Sequence, residues 1–237
     1  MGVEVLPWVF TSGWASGINA YAVVLIMGLV ERFAHVSQVP DALARTDVLI
    51  GAGVMFVLEM VADKIPYIDS AWDSIHTVIR PAIGATLGYL LGHDGSTLDA
   101  AFTAATGGVS ALLSHTVKAG LHAAINTSPE PVSNVVVSTA EDVTVTGVVA
   151  LAFANPWISA GIALALLVAG AILVLFLLKR IRAYKKGYDA WGVRMGSAKP
   201  RLARADASGD HPSGSPPPGR GSSPPDGTRA LPSDHQD

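Results

Sequence analysis

Residues 59–80 read EMVADKIPYIDSAWDSIHTVIR. The stretch sits among apolar runs of membrane-span character, yet it is dense in ionisable side chains. Glu59 and Asp63 stand one turn apart near the end of a helix. Proline disfavours helical backbone in the residue before it, so Ile65-Pro66 ends that helix. A second helix is expected to start at about Asp69, a good N-cap residue. On it Asp69, Asp73, His76 and Arg80 are spaced four, three and four, which makes one stripe. Charge in hydrocarbon costs at least a few kcal/mol per group, so the stripe faces protein or water. Two readings stay open: a buried functional centre, or a hairpin tip at headgroup level with solvated charges.

The rest of the composition sets the compartment. Half of the 237 residues are hydrophobic and the net charge is only -3. A mean hydropathy of +0.41 averages a very apolar body with a polar C-terminal part, which is a multi-pass membrane composition. No nucleic-acid footprint is present. With no cysteine, disulfides, thiolate metal sites and cysteine nucleophiles are excluded. The start MGVEVLPW has no Lys or Arg before its apolar run, a poor match to a signal peptide.

Outward from the central stretch, about six helices are expected. Trp8 to Phe33 is long enough to cross a bilayer. Within it, the stretch Ser12 to Gly17 weakens a helix and Asn19 follows at once; either Gly13 and Gly17 form a small-xxx-small packing face or the helix is broken at that stretch, and packing is the commoner explanation. Val36 to Asp47 is a loop with Pro40. The second span runs from about Val48 to Ile65. The third runs from Asp69 to Gly92, is interrupted at Pro81, and carries Gly84, Gly88 and Gly92 four apart. His93-Asp94-Gly95-Ser96 is a tight connection. The fourth helix, about Leu98 to Asn126, is loosened by Gly107-Gly108 and bears a second polar face of His115, Lys118, His122 and Asn126. Thr127 to Pro131, with Glu130, forms an elbow. The fifth helix starts near Val132 with Asn134, Ser138, Glu141 and Asp142 on one side, and Asn155-Pro156 ends it. Trp157 to Leu178 is the cleanest span. The basic cluster Lys179 to Lys186 follows and reads as cytoplasmic by the positive-inside rule. Residues 1–186 thus form a transmembrane helical domain. Residues 187–237 are read as a Pro/Gly/Ser-rich cytoplasmic tail, disordered because it cannot bury enough apolar surface to fold.

The second and third helices resemble the fourth and fifth in layout, an internal helix-hairpin repeat. Each pair begins with glycines (Gly51 and Gly53; Gly107 and Gly108). Each has a proline-bearing elbow, then a helix polar in its first half. Aligning Pro66 with Pro129 brings Arg80 opposite Glu141 and Asp142 and predicts that they pair.

The stretches ASGINAY (15–21), ADKIPYIDSAWDSIHTVIRP (62–81), SHTVKAG (114–120) and NTSPEPVSN (126–134), with Ala140-Glu141-Asp142, carry a resemblance. They are similar to the bacterial membrane proteins grouped as domain of unknown function 4126. The likeness covers roughly Trp14 to Lys186. It implies an integral membrane protein and brings no activity, substrate or catalytic residue.

No Gly-x-Ser-x-Gly or His-Glu-x-x-His motif occurs, so no catalytic residue is assigned and an enzyme is the less favoured class. Asp73-x-x-His76 has the acid-to-His spacing of bundle metal sites, which use a Glu-x-x-His pair twice; one copy assigns no metal, and no cofactor is expected. Between Glu59 and Asp142, setting aside Asp94 and Asp99 at the connecting turn, seven acids face Lys64, Arg80 and Lys118. Acid-rich intramembrane faces with His76, His115 and His122 suit proton or cation relay. The candidate polar core is Asn19, Glu59, Asp63, Asp69, Asp73, His76, Arg80, His115, Lys118, His122, Asn126, Glu130, Asn134, Glu141 and Asp142. The expected function is a transporter or channel for a small ion or a small polar or anionic solute, proton-coupled, in the cell membrane. A membrane scaffold with structural polar faces and an intramembrane enzyme are the alternatives. The expected partners are the lipid bilayer, a small ion or solute and further copies of the chain.

Overall fold

The computed structural model describes residues 4–126 and 131–194. Six α-helices form: α1 (Val5–Ala34), α2 (Thr46–Ala62), α3 (Pro66–Gly92), α4 (Thr97–Ile125), α5 (Pro131–Ala154) and α6 (Pro156–Arg194), with one 3-10 turn at Asp41–Ala44. No strand occurs among the described residues. The chain divides into two units, residues 1–186 and 187–237. Glu130 with its neighbours Thr127–Pro129, and residues 195–237 of the expected disordered tail, lie outside the described residues; residues 187–194, expected to begin that tail, are instead helical and continue α6.

Helix boundaries follow local chemistry. α3 starts at Pro66 rather than at Asp69. A proline at the first helical position loses nothing, because that N–H has no partner within the helix anyway. Asp69 therefore lies one turn inside, and its side chain is released from capping. α3 also continues through Pro81, where an interruption was expected. Extensive packing of α3 on α4 and α1 holds it there, and membrane helices tolerate proline where neighbouring helices support the backbone. α4 opens with a reciprocal capping box between Ser96 and Asp99. Donation from the Ser96 backbone N–H and hydroxyl keeps the Asp99 carboxyl below the usual carboxylate range. The short link His93–Ser96 makes α3 and α4 an antiparallel hairpin.

Glycines let α1, α3 and α4 come together. A Cβ on Gly17 would fall on Ser114 Oγ and the Ala111 carbonyl, and one on Gly107 would fall on the Gly84 carbonyl. Such seams replace the hydrophobic effect, which does not drive helices together in lipid. Gly107 is thus a packing residue, and α4 runs unbroken through it. Gly51 and Gly53 meet nothing, so α2 and α4 use their glycines differently and the proposed repeat does not extend to them.

α1, α5 and α6 contain stretches long and apolar enough to cross a membrane: Val5–Ala34, Val132–Ala154 and Pro156–Ala183. The sequence expectation was about six spans; three helices meet it by length and composition. Large apolar side chains nevertheless face outward on every helix from α2 to α6, including Val54, Val78, Phe102, Val143 and Phe176, while Glu59, Asp69 and Arg80 are fully buried. Apolar groups outside and charges inside is the arrangement that hydrocarbon surroundings favour. This is a membrane protein.

Replacing Gly17 with alanine pushes a methyl group into α4. Overpacking of this kind costs about 1–3 kcal/mol, so Gly17→Ala is expected to lower the thermal unfolding temperature in detergent. Gly51→Ala, with open space around it, should leave that temperature unchanged or raise it. Equal effects at the two positions would contradict the seam.

Candidate functional site

The polar faces of α2, α3, α4 and α5 converge on a break in α1. Asn19 leaves helical geometry, with φ -145° and ψ 91°. It is the midpoint of α1, about 21 Å from either end at about 1.5 Å rise per residue. In an unbroken helix the Ala22 N–H would donate to the Ile18 carbonyl. Here Ala22 N–H donates to Asn19 Oδ1 at 2.9 Å instead. The Ile18 carbonyl then accepts from Lys118 Nζ at 3.1 Å. One asparagine thus satisfies the broken turn and frees a carbonyl for a buried cation. Of the two alternatives for Gly13 and Gly17, packing holds, and the helix breaks at Asn19 rather than at the glycines.

Lys118 also reaches Asp63 Oδ2 at 2.5 Å and lies 3.6 Å from Glu141 Oε2 and 4.0 Å from Glu59 Oε1. Arg80, wholly buried, pairs with Glu59 Oε1 at 2.5 Å and with Asp73 Oδ1 at 3.0 Å. This replaces the expected pairing of Arg80 with Glu141 and Asp142. Residues a turn or two along α3 and at the end of α2 are nearer than the halves of a repeat. Glu141 belongs to Lys118 and His122 instead, and Asp142 Oδ1 accepts from Asn19 Nδ2 at 2.9 Å.

The histidines are in three different settings. Arg80 donates to His115 Nδ1 at 2.8 Å. Arginine has no acceptor, so that nitrogen is unprotonated and the ring is neutral with its proton on Nε2. Nε2–H then donates to Thr77 Oγ1 at 3.1 Å, while the Thr77 hydroxyl donates to the Asp73 carbonyl at 3.0 Å. His76 points away from the carboxylates. Its Nδ1 donates to the Trp72 carbonyl at 2.8 Å and its Nε2 accepts from the Tyr21 hydroxyl at 3.0 Å. The Trp72 ring stacks on it at 4.6 Å. His122 lies between two acids, with Nδ1 at 2.7 Å from Asp69 Oδ1 and Nε2 at 3.1 Å from Glu141 Oε2. With both acids ionised, the imidazolium form satisfies both contacts. Asn126 Nδ2 completes Asp69 by donating to Oδ2 at 3.0 Å. Asn134 and Ser138 are buried on α5, and neither amide atom of Asn134 has a hydrogen-bond partner among the described residues.

The result is one connected charge cluster. Glu59, Asp63, Asp69, Asp73 and Glu141 face two fixed cations, Arg80 and Lys118, with His122 as a third, and Asp142 joins the cluster through Asn19. Glu59 Oε2 and Asp63 Oδ1 are buried and accept no hydrogen bond among the described residues. Carboxylates in excess and lone pairs in reserve are groups that can accept protons or a cation. Lys64 stands apart, donating to the Met60 carbonyl at 2.9 Å. As for a metal, Asp73 and His76 do not share a site. Asp69, Asp73 and His122 do offer ligand atoms within 4.8 Å of one another. Those atoms are engaged with each other, with Arg80 and with Asn126, which is the pattern of an ion-pair network.

The family model described as a domain of unknown function, DUF4126, matches residues 6–176, well over half of the chain. The chain belongs to this family. The DUF4126 match begins before Trp14 and stops short of the basic cluster at Lys179–Lys186, so it takes in all the side chains of the charge cluster. No curated protein and no solved structure matches the chain. Tyr21, Thr77 and the Ile18 carbonyl were not among the expected site groups. Tyr21 was within reach, standing two residues from Asn19 in the ASGINAY stretch. A backbone carbonyl leaves no trace in a side-chain pattern.

Removing one member of a buried ion pair costs about 3–5 kcal/mol, because its partner stays buried and uncompensated. Arg80→Met and Glu59→Gln should each destabilise the detergent-solubilised protein strongly. The double variant should recover part of the loss. Strictly additive losses would show that the two side chains are not coupled.

Proposed function

We propose that this protein is a membrane transporter that moves a small cation, protons included, through the buried charge cluster. The observation that carries the reading is the imbalance at the middle of α1. Five carboxylates pair there with three cations and a sixth, Asp142, joins through Asn19, in a position where every uncompensated charge is expensive. A structural network can be neutral, and this one is left in need of positive charge. Protons or a cation supply it, and exchanging them between the two sides of a membrane is transport. A broken helix offering a backbone carbonyl near its midpoint is a common device in carriers.

The anionic-solute reading is less well supported. Arg80 is held by Glu59 and Asp73, and Lys118 by Asp63. Neither is free to take an anion without giving up a buried carboxylate. The cell membrane is the proposed location, with the basic segment Lys179–Lys186 in the C-terminal part of α6 on its cytoplasmic face as the positive-inside rule directs. A reporter joined after Lys186 should be active only as a cytoplasmic fusion.

Purified protein in liposomes should carry a proton or cation flux down an imposed gradient. Asp73→Asn and Lys118→Met should each abolish it while circular dichroism shows the helices intact. Liposomes that stay tight to protons and to monovalent and divalent cations would overturn the transport reading. Variants that lose only thermal stability would favour a scaffold with structural polar faces.

A further inference from the structure

The charge cluster has one flank that opens away from the other helices. α4 and α5 touch little, and the space between them, closed partly by α6 and α1, is a pocket of about 420 Å³. Its walls are apolar, with Ile18, Val117, Leu121, Val137, Leu167 and Gly170 among them. Val136, Leu166 and Leu173 line it too and are exposed on the outer surface, so its mouth opens where the acyl chains of a bilayer lie. At its inner end are Lys118 and Glu141. Lys118 is 2 % exposed, whereas Glu141, at 15 %, is the most open of the acids in ion pairs with Lys118, Arg80 and His122.

We propose that this pocket binds a lipophilic organic cation, with its apolar body between α4, α5 and α6 and its positive charge on Glu141. Four features define the ligand class. A mostly apolar wall, whose Ser114 and Thr144 hydroxyls already donate to backbone carbonyls, selects an apolar body, and a mouth on the outer apolar surface admits a ligand already dissolved in the bilayer. The volume suits a drug-sized molecule, since ligand sites commonly run from about 300 to 1,000 Å³. The floor selects the sign. A cationic head meets Glu141 backed by an excess of carboxylates. An anionic head would meet the same carboxylates, with the Lys118 ammonium already committed to Asp63 and the Ile18 carbonyl. Binding at Glu141 also places the ligand's charge against the oxygen that holds His122 Nε2, so the ligand competes with the imidazolium for one carboxylate. The inference deepens the transport reading and rests on it only for the fate of the ligand, not for its binding.

The test compares two ions of nearly the same size and shape. Tetraphenylphosphonium and tetraphenylborate differ mainly in sign, so partition into lipid or detergent is controlled within the experiment. Equilibrium dialysis of the full chain in nanodiscs, with no gradient imposed, should show saturable binding of the phosphonium and none of the borate. Glu141→Gln should weaken phosphonium binding at least tenfold. Ala140→Phe, at an exposed lining position, should weaken it as much by filling the pocket, and it guards against a folding defect in the Glu141 variant. Equal uptake of both ions, preference for the borate, or phosphonium binding that survives Ala140→Phe would each overturn the proposal. Because dialysis needs no flux, a protein that binds the phosphonium but leaves liposomes tight would count against transport alone. One that conducts protons but binds no phosphonium would count against this pocket alone.

Discussion

Arg80 carries a charge it cannot lose into a position with no solvent exposure. That burial is tolerable only if acids arrive from elsewhere in the chain, and their arrival dictates the packing of this end of the bundle. Glu59 comes from the last turn of α2, Asp73 from two turns back on α3, and His115 from α4. Each brings its own helix into place. α2 has few other attachments and exposes Ile50, Val54, Val57, Leu58 and Val61 along its length, so the Glu59 and Asp63 contacts tether its end. In water such a cluster would trade readily for hydration. Surrounded by apolar side chains it has no such alternative, and specificity of packing follows from electrostatics rather than from hydrophobic burial.

The apolar halves of the helices solve the opposite problem. Without a hydrophobic drive between them, they need shape. Gly13 and Gly17 on α1, Gly84 and Gly88 on α3 and Gly107 on α4 bring backbones into direct contact, and Ser114 spans α1 and α4 through the Trp14 carbonyl at 2.7 Å. A close-packed seam and a charge cluster therefore lie in series along the same three helices. The seam fixes their separation, and that separation sets which side chains can reach one another at the polar end.

Much of this was legible in the residues. Spacings of three and four on α3 and α4 identified the side chains that converge, since helical periodicity is a local property. The all-helical class and the membrane setting followed from the same periodicity and from composition. Partner choice was not legible. Arg80 was expected to meet Glu141 and Asp142 because an internal alignment put them at matching places, whereas its partners Glu59 and Asp73 lie within 21 residues of it in the chain. The start of α3 was misplaced by three residues because Asp69 looks like a cap, and only the fold shows that His122 and Asn126 claim its carboxylate. His76 shares a stripe with the acids yet belongs to Tyr21, a distinction of a few tens of degrees around a helix that spacing cannot resolve.

The exchange at Asn19 has a consequence for motion. In the broken form Ala22 N–H rests on a side-chain oxygen and Lys118 rests on a backbone one. If Lys118 withdraws, the Ile18 carbonyl becomes available to Ala22, α1 can wind straight, and the Asn19 amide is released from its own turn and from Asp142. In that trade the Ala22 N–H has an acceptor before and after, while the lysine and the Asn19 amide give theirs up. Winding of the first helix and the position of a single ammonium group are thus one degree of freedom, geared together by a side chain two bonds longer than alanine.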